Sequence, residues 1–474
     1  MKNIKVPEFS FYFCSVLLIL LVNNGCCDWG SSIHVGHEIS LAVPLEYSDG
    51  FIGRAFLMDD GNGQVEPNFR VALSAEANKG GYSCSLEVFL GDVKVWNSGH
   101  HSQFYTMDTC VLELTEDGDL LLKGAEDQVG WRTGTSGQGV ERLRILKTGN
   151  LVLVDVFDQI KWQSFNFPTD VMLWGQRLDL ATRLTSYPRN STSFYTFEIQ
   201  HSKLALHLNS GKLKYSYWEF KPPNNTNISF LELGSKGLVL FNDEHRKMAQ
   251  IPSWWRSIQP PSVRFLALGN ETGNLGLYSY SPKKRSFEAS FQVLNSKCDF
   301  PLACKPYGIC TFSNACSCIR LATKEKHTVS NCSEGTSSSA QFCNGTQVEM
   351  LELNGVNTVL RDASTRVIVS KTACANLCLD DCKCVAALYS SGNGAKIFRE
   401  CSIFRLVAGI KQVETGTGTS YMVKVPKGAR YDYKETSVEK WVLIVVGVVD
   451  GLVIIILVVG GLAYHLIQKR RNNL

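Results

Sequence analysis

Cysteine dominates the reactive side chains of this sequence, and its distribution indicates cross-links rather than catalysis. Seventeen cysteines occur; Cys14, Cys26 and Cys27 fall in an N-terminal leader, and fourteen remain. Cys84 and Cys110 stand alone. Cys298, Cys304, Cys310, Cys316, Cys318 and Cys332 form one cluster, and Cys343, Cys374, Cys378, Cys382, Cys384 and Cys401 a second. Even counts in an exported chain read as disulfides, and neither cluster is the paired C-x-x-C array of a structural zinc site. Each bridge contributes about 2–4 kcal/mol, which matters in modules too small to hold a core.

Other constellations carry less. In "DDGNGQVE" (59–66), Asp60, Asn62, Gln64 and Glu66 have calcium-loop spacing, but the Gly falls too early, so they read as turn residues. His34, His37 and Glu38 in "HVGHE" lack the order of a zinc peptidase. Trp254 and Trp255 in "PSWWRS" could form a sugar platform; packing beside a loop is the simpler reading. No G-x-S-x-G, P-loop or nucleophile–base signature is present, so no catalytic residue, metal or cofactor is assigned. A net charge of +4 with no basic stripe sets nucleic acid aside.

The two ends predict a membrane topology. Lys2 and Lys5, an apolar run over 11–22 and small or polar residues to Cys27 make residues 1–27 a secretory signal peptide, too short for the ~20 apolar residues of a span. Residues 441–467 read as a transmembrane helix: the 441–462 stretch would reach ~33 Å, enough for a ~30 Å hydrocarbon core. Asp450 costs about 2.5–3.5 kcal/mol there, against roughly −5 to −10 from the Leu, Ile and Val residues. Lys469, Arg470 and Arg471 follow as a cytoplasmic clamp. The expected placement is the plasma membrane, single-pass type I, with the ectodomain outside and a tail of 468–474 too short for an intracellular enzyme. Six N-x-S/T sequons, at Asn190, Asn224, Asn227, Asn270, Asn331 and Asn344, all lie on the outer side. Gly447 and Gly451 form a G-x-x-x-G pair around Asp450, a candidate face for helix association in the membrane.

Between the ends, residues 30–290 show short apolar stretches, among them 86–90, 111–114, 120–122, 151–154 and 238–241, separated by Gly, Asn and Asp turns. That spacing points to an all-β sandwich or prism. "EDGDLLL" (116–122) and "KTGNLVL" (147–153) are similar hairpin units, and "VGWRTGT" (129–135) opens a strand with a Trp between them. Repeated strand, turn and Trp imply pseudo-symmetry. Thr372 is positioned to cap a helix over 373–379, which would set Cys374 and Cys378 on one face.

"LRILKTGNLVLVDVFDQIKWQSFNFPTDVMLWGQRL" (143–178) resembles the bulb-type lectin domain of plant S-locus glycoproteins and S-domain receptor kinases, with W-Q-S-F-x-x-P-T-D at 162–170 as its signature. "KCDFPLACKPYGICTFSNACSCI" (297–319) is similar to their EGF-like module, and "CANLCLDDCKCVAALY" (374–389) to their PAN/apple domain. The resemblance implies a mainly β chain with tandem β-prism domains: a bulb-lectin-like domain over 30–165 and a second lectin-like domain over 166–293. An EGF-like module (294–333), a PAN domain (343–425) and a stalk (426–440) follow. It also implies the pairs Cys374–Cys401, Cys378–Cys384 and Cys382–Cys343, and, for the EGF-like part, Cys298–Cys310, Cys304–Cys316 and Cys318–Cys332.

Mannose-binding members carry Gln-x-Asp-x-Asn-x-Val-x-Tyr on one strand, with alternate side chains facing the sugar. Here the first copy reads Thr115, Asp117, Asp119, Leu121, Lys123, and the second Leu146, Thr148, Asn150, Val152, Val154. Each lost hydrogen-bond partner costs about 1–3 kcal/mol, against about −4 kcal/mol for a whole millimolar affinity. The expectation is a degenerate site in which Asp117, Asp119 and Asn150 are structural. With the kinase of its relatives lacking, the resemblance implies a non-catalytic, receptor-like surface glycoprotein that binds an extracellular glycan, peptide or protein. It would pair with a receptor ectodomain or with itself, and signal through partners. A structural or adhesive wall-associated glycoprotein is the alternative.

Overall fold

The structure is a computed structural model that describes residues 32–43, 50–61, 67–78, 81–107, 109–187, 192–223, 226–253, 262–304, 306–319, 347–391, 399–414 and 418–427, with most of 451–468. Alternation decides the strands. In Thr109–Leu114, Cys110, Leu112 and Leu114 are buried while Thr109, Val111 and Glu113 face outward, the two-residue period of a half-buried strand.

Twelve strands of the first unit form three four-stranded antiparallel faces, and the short Phe104–Thr106 adds to one of them. One face is Ile52–Asp59, Phe69–Asn78, Gly81–Leu90 and Val93–Asn97. The next is His37–Ala42, Thr109–Leu114, Leu120–Lys123 and Val129–Arg132. The third is Ser32–His34, Val140–Ile145, Leu151–Asp155 and Ile160–Gln163. Each face sends one indole to the centre. Trp96, Trp131 and Trp162 meet edge to face, with centroids 6.3, 5.9 and 5.9 Å apart, the geometry that aromatic quadrupoles favour. Cys84–Cys110 links two faces across 26 residues, worth about 3–4 kcal/mol on loop-entropy grounds.

Residues 171–292 repeat the plan with three further four-stranded sheets. Their core does not end at the prism. Phe197, Leu206, Tyr215 and Leu277 share one apolar cluster with Tyr307, Ile309, Phe404 and Tyr421. The disulfide-linked segment 297–318 and the PAN segment share a sheet as well: Gly308–Cys310 pairs with Cys316–Cys318 on one side and, in parallel, with Ile410–Gln412 on the other. Lys411 reaches Asp299 at 2.6 Å, and Gln412 accepts from the Phe312 amide at 3.0 Å.

In the PAN segment the helix is Lys371–Asp380, packed on a five-stranded sheet. Ser370 caps it, accepting from the Ala373 amide at 3.2 Å. The expected cap, Thr372, lies inside the first turn, because the extended residue that an N-cap requires is Ser370. At the other end buried Lys424 donates to the carbonyls of Leu379 and Asp381 at 3.3 and 3.0 Å, a cation where the helix dipole is negative. Cys374–Cys401, Cys378–Cys384, Cys298–Cys310 and Cys304–Cys316 are closed, and Cys382 is disulfide-bonded.

Among the described residues no helix is long and apolar enough to cross a membrane. Residues 454–464 are helical, with Ile456 and Leu457 about two-thirds exposed. Residues 1–27 and 441–450, with Gly447 and Asp450, lie outside the described residues, as do Cys332, Cys343, Trp254, Trp255, Asn190, Asn224, Asn331 and Asn344.

A polar seam ties the second prism to the PAN segment. Ser216 donates to Asp362 at 2.7 Å, and its carbonyl accepts from the Arg361 amide. Behind it His207, 2% exposed, accepts from Gln200 at 3.0 Å and lies 3.7 Å from Glu198, which Lys214 also engages. Burial lowers the His207 pKa from 6.5 to about 4, against the opposing pull of Glu198. A histidine kept neutral by the fold binds fewer protons folded than unfolded, so its stability contribution is complete above pH 6.5 and is lost as pH falls towards 4. His207→Gln is expected to flatten the melting temperature between pH 6.5 and pH 4 relative to wild type. Parallel profiles for the two proteins would contradict the assignment.

Candidate functional site

The three indoles provide a register between faces. Trp96 lies opposite Val88, Trp131 opposite Leu122 and Trp162 opposite Leu153. In each pairing the register slips beside the Trp, at Val95, Gly130 and Lys161, a bulge that sharpens the local twist and turns the ring inward. A Cβ on Gly130 would fall 1.9 Å from the Phe104 ring, so that bulge admits only glycine.

Counting back from the paired residues superposes three strands. Ser83, Ser85, Glu87 and Phe89 stand where Asp117, Asp119, Leu121 and Lys123 stand on the next face, and Thr148, Asn150, Val152 and Val154 on the third. The first of these sets was invisible to sequence reasoning because its hairpin lacks the Gly-Asn or Gly-Asp turn. The recurrent Trp closing each hairpin unit, Trp131 and Trp162 against Trp96, was the available signal.

The polar groups at these positions bind their own neighbours. Asp119 is 3% exposed; one oxygen accepts from the Thr133 hydroxyl and the amides of Gly134 and Thr135 at 2.9, 2.7 and 3.1 Å, and the other meets Arg132 at 2.7 Å. Buried Asn150 donates to Gln163 at 2.8 Å and accepts from Ser164 and the Phe165 amide. Asp117 is exposed, and hydrogen bonds from Ser136 and Thr115 hold its carboxyl below the usual range. Lys123 pairs with Glu113, Asp127 and Glu38, and the Glu113 contact raises its pKa. On the third strand Val152 and Val154 are buried.

On the newly placed strand, Glu87 accepts from Ser74 at 2.5 Å and Lys94 at 2.8 Å, with Arg54 at 3.4 Å. This face opens into a cavity of about 340 Å³ closed by His100, Asp170, Tyr187 and the sequon residue Asn270. Burial lowers the His100 pKa to about 4 and raises that of Asp170. Asn270 and Asn227 are exposed. Among the described residues no group of three or more His, Cys, Asp or Glu could hold a metal. His34 and His37 instead share a surface hydrogen bond, while Asn62, Gln64 and Glu66 lie outside the described residues.

The D-mannose binding lectin family matches residues 94–194, taking in all three indoles and the W-Q-S-F-x-x-P-T-D stretch. A G-type lectin S-receptor-like serine/threonine-protein kinase of Arabidopsis thaliana is 24% identical over 70% of this chain and 40% of its own length. The chain thus resembles G-type lectin, S-locus-type receptor-like proteins. A PAN domain-containing protein of the same plant is 24% identical over 59% of the chain and 57% of its own length. An EP1-like glycoprotein, also from A. thaliana, is 24% identical over 72% of the chain and 80% of its own length. The chain thus spans about half the length of the first two.

Within the lectin-like prism Asp119 is a structural hub. Asp119→Ala strips the acceptor from the Thr133 hydroxyl and from two amides, so it is expected to cost about 3 kcal/mol. Urea unfolding followed by tryptophan fluorescence measures it. A loss within about 0.5 kcal/mol of zero, the level of an ordinary surface substitution, would remove Asp119 from that role.

Proposed function

We propose that this chain is a non-catalytic, receptor-like glycoprotein whose lectin-type prisms have lost mannose binding and act as a scaffold for recognising another extracellular ligand. The observation that carries the reading is the internal engagement of Asp119, Asn150 and Glu87. A hexose at any of these strands would have to displace existing hydrogen bonds, each worth about 0.5–1.5 kcal/mol, before forming its own. Similarity to G-type lectin receptor-like proteins and to an EP1-like glycoprotein supports the receptor-like, non-catalytic part. The ligand class is an extracellular glycan, peptide or protein, or a second receptor ectodomain.

Placement at the plasma membrane, single-pass with the ectodomain outside, belongs to the same proposal. The apolar run over 441–462, the basic cluster Lys469–Arg471 and the exposed apolar helix at 454–464 support it. Coverage of most of the EP1-like glycoprotein favours a second reading, in which the chain is a structural glycoprotein of the cell wall.

Titration of the purified full chain with α-methyl mannoside and with an α-linked mannotriose, followed by calorimetry, tests the proposal. No saturable binding is expected up to millimolar sugar. A mannose isotherm abolished by Asn150→Ala, in a protein that still melts cooperatively, would restore the ancestral lectin function.

A further inference from the structure

Asn270 is exposed and opens the sequon Asn270–Glu271–Thr272, and the same residue forms part of the wall of the cavity beside Glu87. That cavity, about 340 Å³, lies at the lower end of the ~300–1,000 Å³ of small-ligand sites. The turn that carries Asn270 is tied down at several points. The Gly269 amide donates to the Asn274 carbonyl at 2.8 Å and the Gly273 amide to the Gly269 carbonyl at 2.9 Å. The Leu268 amide donates at 2.8 Å to the carbonyl of Asp170, another residue of the cavity wall. Gly273 adopts φ +67°, and a Cβ there would fall 2.6 Å from both Tyr195 and Tyr217. The Tyr217 hydroxyl donates to the Gly273 carbonyl at 2.5 Å. The sequon is therefore held at the cavity.

The amide itself is oriented. Its Oδ1 accepts from the hydroxyl of Ser186, a fully buried residue. The other end of the amide, Nδ2, is the atom that carries an N-linked glycan. An oxygen turned into the protein leaves that nitrogen turned out of it.

The first sugars of such a glycan are N-acetylglucosamines, neutral pyranoses with hydroxyls, an amide and an apolar C–H face. Ser83, Ser85, Asn97 and Gln103 give the cavity neutral hydroxyls and amides, which match the hydroxyls and the acetamide. Tyr187 adds a ring that is 44% exposed and lies 5.4 Å from His100, centroid to centroid, a flat surface for C–H groups. Glu87 and Lys94 already hold one another at 2.8 Å, and His100 is engaged on the Thr185 carbonyl at 2.7 Å. This closed arrangement is a poor binder of free sugar. An attached sugar needs little affinity of its own, because a short tether supplies an effective concentration of about millimolar order. We infer that the N-glycan of Asn270 folds back over this cavity, its first N-acetylglucosamines resting on Tyr187 and the Ser85 strand, and closes that face of the first prism to external ligands.

Cover by the glycan adds to the loss of mannose binding proposed above and does not depend on it. The full chain is expressed with high-mannose glycans and digested with an endoglycosidase that cuts between the two N-acetylglucosamines, and cleavage at residue 270 is followed by glycopeptide mass spectrometry. Asn270 should be occupied, and its glycan cut at least about tenfold more slowly than in the denatured, alkylated chain, as a locally closed structure demands. Tyr187→Ala should restore most of that rate. Thr272→Ala removes the glycan but keeps the Asn270 amide and its bond to Ser186; amide exchange across 97–103 should then rise about threefold or more. That comparison decides alone if Tyr187→Ala fails to fold. An empty Asn270, native cleavage as fast as in the denatured chain, or exchange unchanged in Thr272→Ala overturns the inference. Mannotriose binding by Thr272→Ala that the glycosylated chain lacks would uphold the glycan cover and refute the lost mannose site instead.

Discussion

The contact of three indoles at the axis of the first prism constrains the rest of the unit. Trp96, Trp131 and Trp162 can meet edge to face only if each face delivers its ring at the same height. The repeated bulge achieves this by slipping the register one residue beside each Trp. A one-residue shift in any face would exchange its buried and outward side chains. The triad therefore fixes which residues of the three central strands face out, and so which positions can be used for recognition at all.

The polar groups at those positions serve cohesion. Where a sugar-binding strand needs acceptors and donors left open, this chain closes them: Asp119 gathers the 133–135 turn, Asn150 gathers 163–165, and Glu87 gathers Ser74, Lys94 and Arg54. Satisfied buried polar groups rigidify a unique arrangement. The same tendency continues along the chain. The second prism shares its apolar core with the disulfide-rich segments, and a parallel strand pair joins the 308–310 strand to the PAN part.

Much of this frame was legible from residues. The apolar stretches and Gly-Asp or Gly-Asn turns located the hairpins at 109–123 and 140–155, and the resemblance implied disulfide pairs that the structure closes, such as Cys374–Cys401. The third sugar-strand equivalent was hidden, because Asn78 and Gly81 flank a turn without the signature and Glu87 replaces an apolar residue. Ser370 took the cap from Thr372 because cap choice depends on backbone dihedrals that two neighbouring hydroxyl residues do not distinguish. Pairing of Ile309 with Ile410 was beyond reach: no local period encodes a parallel contact between segments so far apart in sequence. The cavity beside Asn270 was equally hidden, since Ser85, Tyr187 and Asn270 come from three separate elements.

Backbone amide exchange at Gly134 and Thr135, with and without saturating mannose, reports on whether the prism's polar positions are closed, because both amides donate to Asp119. Strong protection that mannose leaves unchanged is expected. Rapid exchange at these amides, or protection that shifts when mannose is added, would show that the carboxylate is available to a ligand and that the prism has kept its ancestral site.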